Sequence, residues 1–211
     1  MIEHFNEKRY YSICDQLAAL DEDLKGILDR YGYPPFWVRP NTFESLVHII
    51  LEQQVSLASA LAAMNQLKAK IGPITPEAVL DLSDGDLRAC YFSRQKTLYV
   101  RDLALNIITG ALSLEALELM DEDDVRHQLK MVKGIGAWTI DIYLLFILHR
   151  TDVFPLGDLA AVNALKQLKD LDSSTSKADL LIVASNWKPY RSIATMMLWH
   201  YYLEQRRLKH K

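Results

Sequence analysis

The 211-residue chain is 50% hydrophobic with a formal charge of −3, enough apolar material for one substantial core or two small ones. A pI near 6.1 argues against a protein that coats nucleic acid through bulk charge, although an enzyme gripping DNA through backbone amides and one local patch need not be basic. No run approaches the roughly 18 to 20 apolar residues of a membrane span, and Met1 to Tyr11 is too polar for a signal-peptide core, so a soluble, unexported protein is expected, cytoplasmic or, in a eukaryote, nuclear.

Apolar residues recur at helical spacing almost throughout, and no period-2 stretch bounded by turn residues appears, which predicts an all-α fold. The first forty residues read as helix and loop, with Cys14 among them. Cys14 and Cys90 lie far apart without a CxxC or a suitably spaced histidine, which predicts reduced, buried thiols and excludes an iron–sulfur cluster. The longest helical signal runs from Phe43, capped by Thr42, to about Lys70, with Leu46, Ile49, Ile50, Ala58, Leu61 and Leu67 as its apolar stripe. Gly72-Pro73 ends it. Thr75-Pro76, Ser83 with Asp86, Ser93 and Ser113 then open short helices.

An acidic-start helix after Asp121 reaches about Lys130, and a second, apolar helix runs from Ala137 to about Leu148. Pro155 breaks the chain, Asp158 starts another helix, and Ser173 to Ser176 is a loop. Pro189 separates Leu180–Trp187 from a last helix over Arg191 to about Leu203. Arg206, Arg207, Lys209, His210 and Lys211 form a local basic excess that reads most simply as a solvated tail.

Between the helices around Leu129 and Ala137, the turn Lys133-Gly134-Ile135-Gly136 places two glycines about one aliphatic residue. Glycine adopts positive φ cheaply, so such a turn can be tight and bare. Its amides, at a helix start, suit one phosphate, while Ile135 pins the turn to the core. That would grip DNA without reading its sequence. Taken alone, GxG between helices is an ordinary αα-hairpin.

The continuation is more specific. Val153-Phe154-Pro155-Leu156-Gly157-Asp158-Leu159 follows the second helix, Leu51-Glu52-Gln53-Gln54-Val55-Ser56 and Phe92-Ser93-Arg94-Gln95-Lys96 precede the turn, and Trp187-Lys188-Pro189-Tyr190-Arg191-Ser192 lies near the end. In this order the blocks resemble the HhH-GPD superfamily of base-excision DNA glycosylases, most closely its 3-methyladenine DNA glycosylase II branch, over about Thr42 to Leu203. The resemblance implies that Asp158 is the catalytic carboxylate. Asp158 is also a favoured helix cap, and the two roles are compatible: capping fixes the rotamer, and a helix start favours negative charge beside a sugar C1′ that becomes positive. An alkylated purine is already a cationic leaving group, so a second carboxyl is dispensable.

Where backbone-cutting relatives carry a Schiff-base lysine, this chain has Trp138, which implies a monofunctional enzyme. Trp138 and Trp199 are the expected stacking walls for a flipped cationic base, with core tryptophan as the bland alternative. A pocket tyrosine of the branch is replaced by Ile142, and Tyr143 beside it is a third expected base-pocket residue. An aliphatic wedge of the branch is replaced by Gln54, which with Gln53 could fill the gap left by an extruded base. Lys133 could meet a phosphate, whereas Arg94, Lys96 and Arg191 read as surface charges or salt-bridge partners.

The expected architecture is two helical lobes with an active-site cleft, residues 40–150 ending in the helix-hairpin-helix and residues 1–39 plus 151–211 carrying the aspartate. No side-chain metal site is visible. The resemblance implies a structural monovalent cation on turn carbonyls, and a monomer acting on double-stranded DNA with damaged bases. Alternatives open at this point are a non-catalytic DNA-binding module, a bifunctional glycosylase–lyase and a helical protein-interaction domain.

Overall fold

The computed structural model describes residues 3–209, so His210 and Lys211 of the basic tail lie outside the described residues. The described chain is helical: α1 (Glu7–Leu20), α2 (Glu22–Tyr31), α3 (Phe43–Glu52), α4 (Leu57–Ile71), α5 (Pro76–Leu80), α6 (Asp84–Ala89), α7 (Arg94–Ile108), α8 (Leu114–Leu119), α9 (Glu122–Lys130), α10 (Ala137–Phe146), α11 (Leu159–Leu168), α12 (Lys177–Ser185) and α13 (Arg191–Lys209). Among the described residues there is no strand, only an isolated bridge between His4 and Arg150. The all-α expectation holds. No described helix is long and apolar enough to cross a membrane.

Local chemistry starts these helices where the sequence indicates. Thr42, Thr75, Ser83, Ser93, Ser113 and Asp158 each accept a backbone N–H from the residue three positions on, satisfying a donor that a helix start leaves orphaned. Ser83 and Asp86 complete a reciprocal capping box.

The long helix expected from Phe43 to Lys70 is instead two. The chain leaves α3 at Gln53, passes through Gln54 with φ 57°, and restarts where Ser56 caps α4 through the Ser59 amide. The break resets the helical phase, so α4 buries Ala60, Ala63, Met64 and Leu67, while Ala58 is exposed and Leu61 is 51% exposed.

The chain divides into two compact units, residues 39–143 and residues 1–38 with 144–211. The second boundary therefore falls inside α10 and not after Arg150. Its physical cause lies in the residues that follow Tyr143: Phe146 stacks on Trp199, the Leu148 carbonyl bonds the His4 ring, and the His149 ring packs against Phe5 and Phe36.

In the 39–143 unit, α7 packs against α3, α5 and α6 and buries Val100, Leu103 and Ala104 completely. In the other unit α13 is central, packing on α1, α2 and α11, with every residue from Ser192 to Tyr201 buried. Large apolar side chains there, such as Leu198 and Met196, contribute about 1.5–3 kcal/mol each by leaving water. The polar members are satisfied: Ser192 Oγ accepts the Val153 amide at 2.9 Å, and Thr195 Oγ1 donates to the Arg191 carbonyl at 2.8 Å. Cys14 and Cys90 are free, buried thiols, and burial pushes Cys14 up to about 12.

Candidate active site

Asp158 occupies the start of α11, after the turn in which its own amide bonds the Pro155 carbonyl at 2.8 Å. Its Oδ1 accepts the Ala161 amide at 2.8 Å and the Trp199 indole N–H at 2.9 Å. The expected cap is thus present, and a second donor from α13 converges on the same oxygen. Trp199 is 8% exposed, and its ring stacks on Phe146 with centroids 5.2 Å apart and planes 25° from parallel. A carboxylate held by neutral N–H donors can stabilise positive charge developing nearby, or receive a proton from water attacking it.

In the other unit the hairpin is built from the far side. Gly134 has φ 86°, and a Cβ there would lie 2.1 Å from Cγ of Tyr99. The ring of Tyr99 therefore lies directly on the turn, and glycine is required twice over. Asp102, one turn along α7, accepts the Lys133 amide at 2.8 Å. Gln53 Nε2 donates to the Gly134 carbonyl and to Thr139 Oγ1, each at 2.9 Å. Ile135 is 4% exposed, the apolar anchor its position suggested. Arg126 of α9 bonds Asp141 of α10 at 2.7 Å. Burial pushes the Asp141 carboxyl up, and the guanidinium opposes that without cancelling it.

Gly136 is different from Gly134. It is exposed, with no positive φ, and a Cβ would meet nothing within 4 Å. The fold leaves that position open. Glycine matters there only if something from outside must approach the backbone.

Gln53 and Gln54, paired in the sequence reading, have separate jobs. Gln53 is half-buried and committed to the hairpin, so it is not available to enter a duplex; it positions the turn. Gln54 is exposed on a left-handed backbone between α3 and α4, a conformation uncommon enough in a non-glycine residue to need a reason.

Tyr143 also differs from expectation. It is fully buried and its hydroxyl donates to Asn41 Oδ1 at 2.8 Å, so its ring offers no face to a base and it belongs to the core, as does Ile142. Trp138 is half-buried on the first turn of α10, and Lys133 is exposed. Arg191 pairs with Asp152 at 2.7 Å, and the half-buried Lys96 ammonium donates to the Leu51 carbonyl at 2.5 Å, its pKa lowered by that burial. Arg94 is exposed.

Tyr99, Asp102 and Phe146 were not legible as site residues. Asp102 lies 31 positions from the amide it holds, and no motif spacing links them. Among the described residues no cluster of three His, Cys, Asp or Glu side chains could hold a metal ion.

Residues 47–189 match the model of the HhH-GPD superfamily of base excision DNA repair proteins. DNA-3-methyladenine glycosylase 1 of Schizosaccharomyces pombe is 30% identical, over 87% of this chain and 83% of the relative. A Bacillus subtilis protein assigned by name to the DNA-3-methyladenine glycosylases is also 30% identical, over 83% of this chain, which spans 64% of that relative's length. The solved 3-methyladenine DNA glycosylase of Schizosaccharomyces pombe, in complex with abasic DNA, superposes with a TM-score of 0.82 at 30% identity, covering 89% of this chain and 95% of that one. On that match over residues 47–189 and those relatives, the chain belongs to the HhH-GPD superfamily of base excision DNA repair proteins.

Proposed function

We propose that the protein is a monofunctional DNA glycosylase that removes alkylated bases of the 3-methyladenine and 7-methylguanine type from double-stranded DNA. The observation that carries this reading is the Asp158 carboxylate, whose Oδ1 receives both the Ala161 amide and the Trp199 indole N–H, in a chain similar to named 3-methyladenine glycosylases. The N-glycosidic bond breaks with its electron pair leaving on the alkylated base, whose positive charge is thereby neutralised. Positive charge on C1′ is stabilised by Asp158, water adds to C1′, and its proton passes to the carboxylate or to solvent. The products are a free base and an abasic site.

The hairpin supplies the hold on the strand. Exposed backbone at Gly136, at the start of α10, suits a phosphate, and the exposed Lys133 side chain adds charge beside it. Gln54 fills the space that an extruded base vacates, and Trp138 stacks on the extruded base. With tryptophan at position 138, the hairpin's second helix has no amine there for a Schiff base. The turn's own ligands for a cation are backbone carbonyls, hard neutral oxygens of the kind a monovalent ion accepts; the Gly134 carbonyl already takes one hydrogen bond from Gln53 and keeps a second lone pair. The enzyme works as an intracellular monomer, where its substrate is.

The test is incubation with methylated duplex DNA and chromatography of the freed bases. Release by the wild type, its loss in Asp158→Asn, and no borohydride-trapped adduct are expected. Binding of abasic DNA without base release would overturn the enzyme reading, and a trapped adduct would overturn monofunctionality.

A further inference from the structure

A single hydrogen bond from a helix amide locates one carboxylate oxygen and leaves the group free to swing about that bond. In Asp158 a second donor arrives at the same Oδ1 from another helix: the Ala161 amide at 2.8 Å and the Trp199 indole N–H at 2.9 Å. The indole is itself closely packed. It sits in the fully buried stretch of α13, is 8% exposed, and stacks on Phe146 at 5.2 Å. One face is covered by a phenyl ring and the N–H is engaged, which suits a strut better than an open platform for a base.

We propose that Trp199 is a positioning residue for the reaction, fixing the Asp158 carboxylate through its indole N–H with Phe146 as backing, and that base stacking is not its main contribution. The assignment rests on the reading of Asp158 as the catalytic carboxylate. The indole donor suits this purpose because it orients a carboxylate without adding a positive charge that would compete with the sugar for it.

The same unit shows the contrasting use. Asp21 caps α2 and accepts the Trp187 indole N–H at 2.8 Å, but it also binds the Lys169 ammonium at 2.7 Å. Burial pushes the Asp21 carboxyl up, and the bonds from Lys169 and Trp187 outweigh that and hold it below its usual value. An indole on a capping aspartate can thus be structural, so the test must separate positioning from stability.

The test compares single-turnover base release, affinity for duplex DNA carrying a tetrahydrofuran abasic analogue, and thermal melting. Trp199→Phe keeps an aromatic face on Phe146 and removes the donor. Benzothienylalanine at position 199 keeps the full indole shape and also lacks the N–H. Both should lower the release rate by about 10- to 100-fold, the scale of one hydrogen bond to a charged group, with affinity for the abasic analogue within about twofold. Because Trp199 acts through Asp158, Trp199→Phe should cost nothing further in the Asp158→Asn background. If the benzothienyl protein excises at the wild-type rate, or if the two substitutions are additive, the positioning role is wrong while the glycosylase reading stands. If the wild type binds the analogue but frees no methylated base, both are wrong.

Discussion

The hairpin turn and the Asp158 corner are both places where a helix begins, and they are built in opposite ways. At the hairpin the side chains work from behind: Tyr99, Asp102 and Gln53 hold Gly134 and Lys133, and what faces outward at Gly136 is bare backbone. At the corner a side chain is the group proposed to act, and backbone and indole hold it. A backbone surface can recognise a phosphate that recurs at every nucleotide, whereas bond cleavage needs one charge at one atom. Substitutions at the corner should therefore change rate with binding intact, and substitutions at the hairpin should change binding.

The largest expected effect is Asp158→Asn. The amide side chain can still accept the Ala161 and Trp199 hydrogens, so the corner should keep its shape and lose only its charge. Single-turnover release should fall by about a thousandfold, the upper scale for removing one electrostatic stabiliser, with affinity for abasic DNA nearly unchanged. A parallel loss of binding would erase the contrast between the two regions.

Gly134→Ala comes next. Positive φ costs an L-residue roughly 1–2 kcal/mol, and the Cβ would have to displace the Tyr99 ring from 2.1 Å. A destabilisation of about 3 kcal/mol, seen as a melting midpoint lower by roughly 6–12 °C, should accompany weaker DNA binding. Gln53→Ala should be milder. It strips a donor from the Gly134 carbonyl and Thr139 Oγ1, at about 1–3 kcal/mol, and should weaken DNA affinity while leaving the release rate of bound substrate within about twofold.

What was legible in the sequence follows the same division. Gly134, Gly136 and the Pro155-to-Asp158 approach announce themselves because glycine, proline and a capping aspartate act through local backbone chemistry. Periodicity correctly gave helices, but it bridged the break at Gln53 to Ser56, since apolar residues on both sides continue the pattern while Gln54 turns left-handed and shifts the phase of α4. It also gave no guidance on where a polar tip reaches. Gln53 looked like a twin of Gln54 yet bonds a carbonyl 81 positions away; Tyr143 looked like a substitute for the branch's pocket tyrosine yet bonds Asn41 inside the core; and Trp199 looked like a stacking ring yet donates its N–H to Asp158. Such assignments depend on long-range placement that spacing does not encode.

Gly136→Ala gives the smallest expected effect and the sharpest test of the contrast. A Cβ at this position meets nothing within 4 Å, and the backbone there has no positive φ, so the folded protein should accept it without strain. Alanine also restricts the unfolded chain, so stability should be unchanged or rise by about 0.4–1 kcal/mol. A methyl group on the bare turn would nevertheless stand between the backbone and a phosphate, and affinity for abasic duplex DNA should fall by about tenfold, equivalent to roughly 1.4 kcal/mol. Fluorescence anisotropy together with a melting curve reads both quantities on one preparation. Tighter or equal binding would mean that the phosphate is held elsewhere, as by the Lys133 side chain, and that Gly136 is not part of the grip. A loss of binding in a protein that melts no lower would identify Gly136 as a residue whose glycine serves the ligand and not the fold.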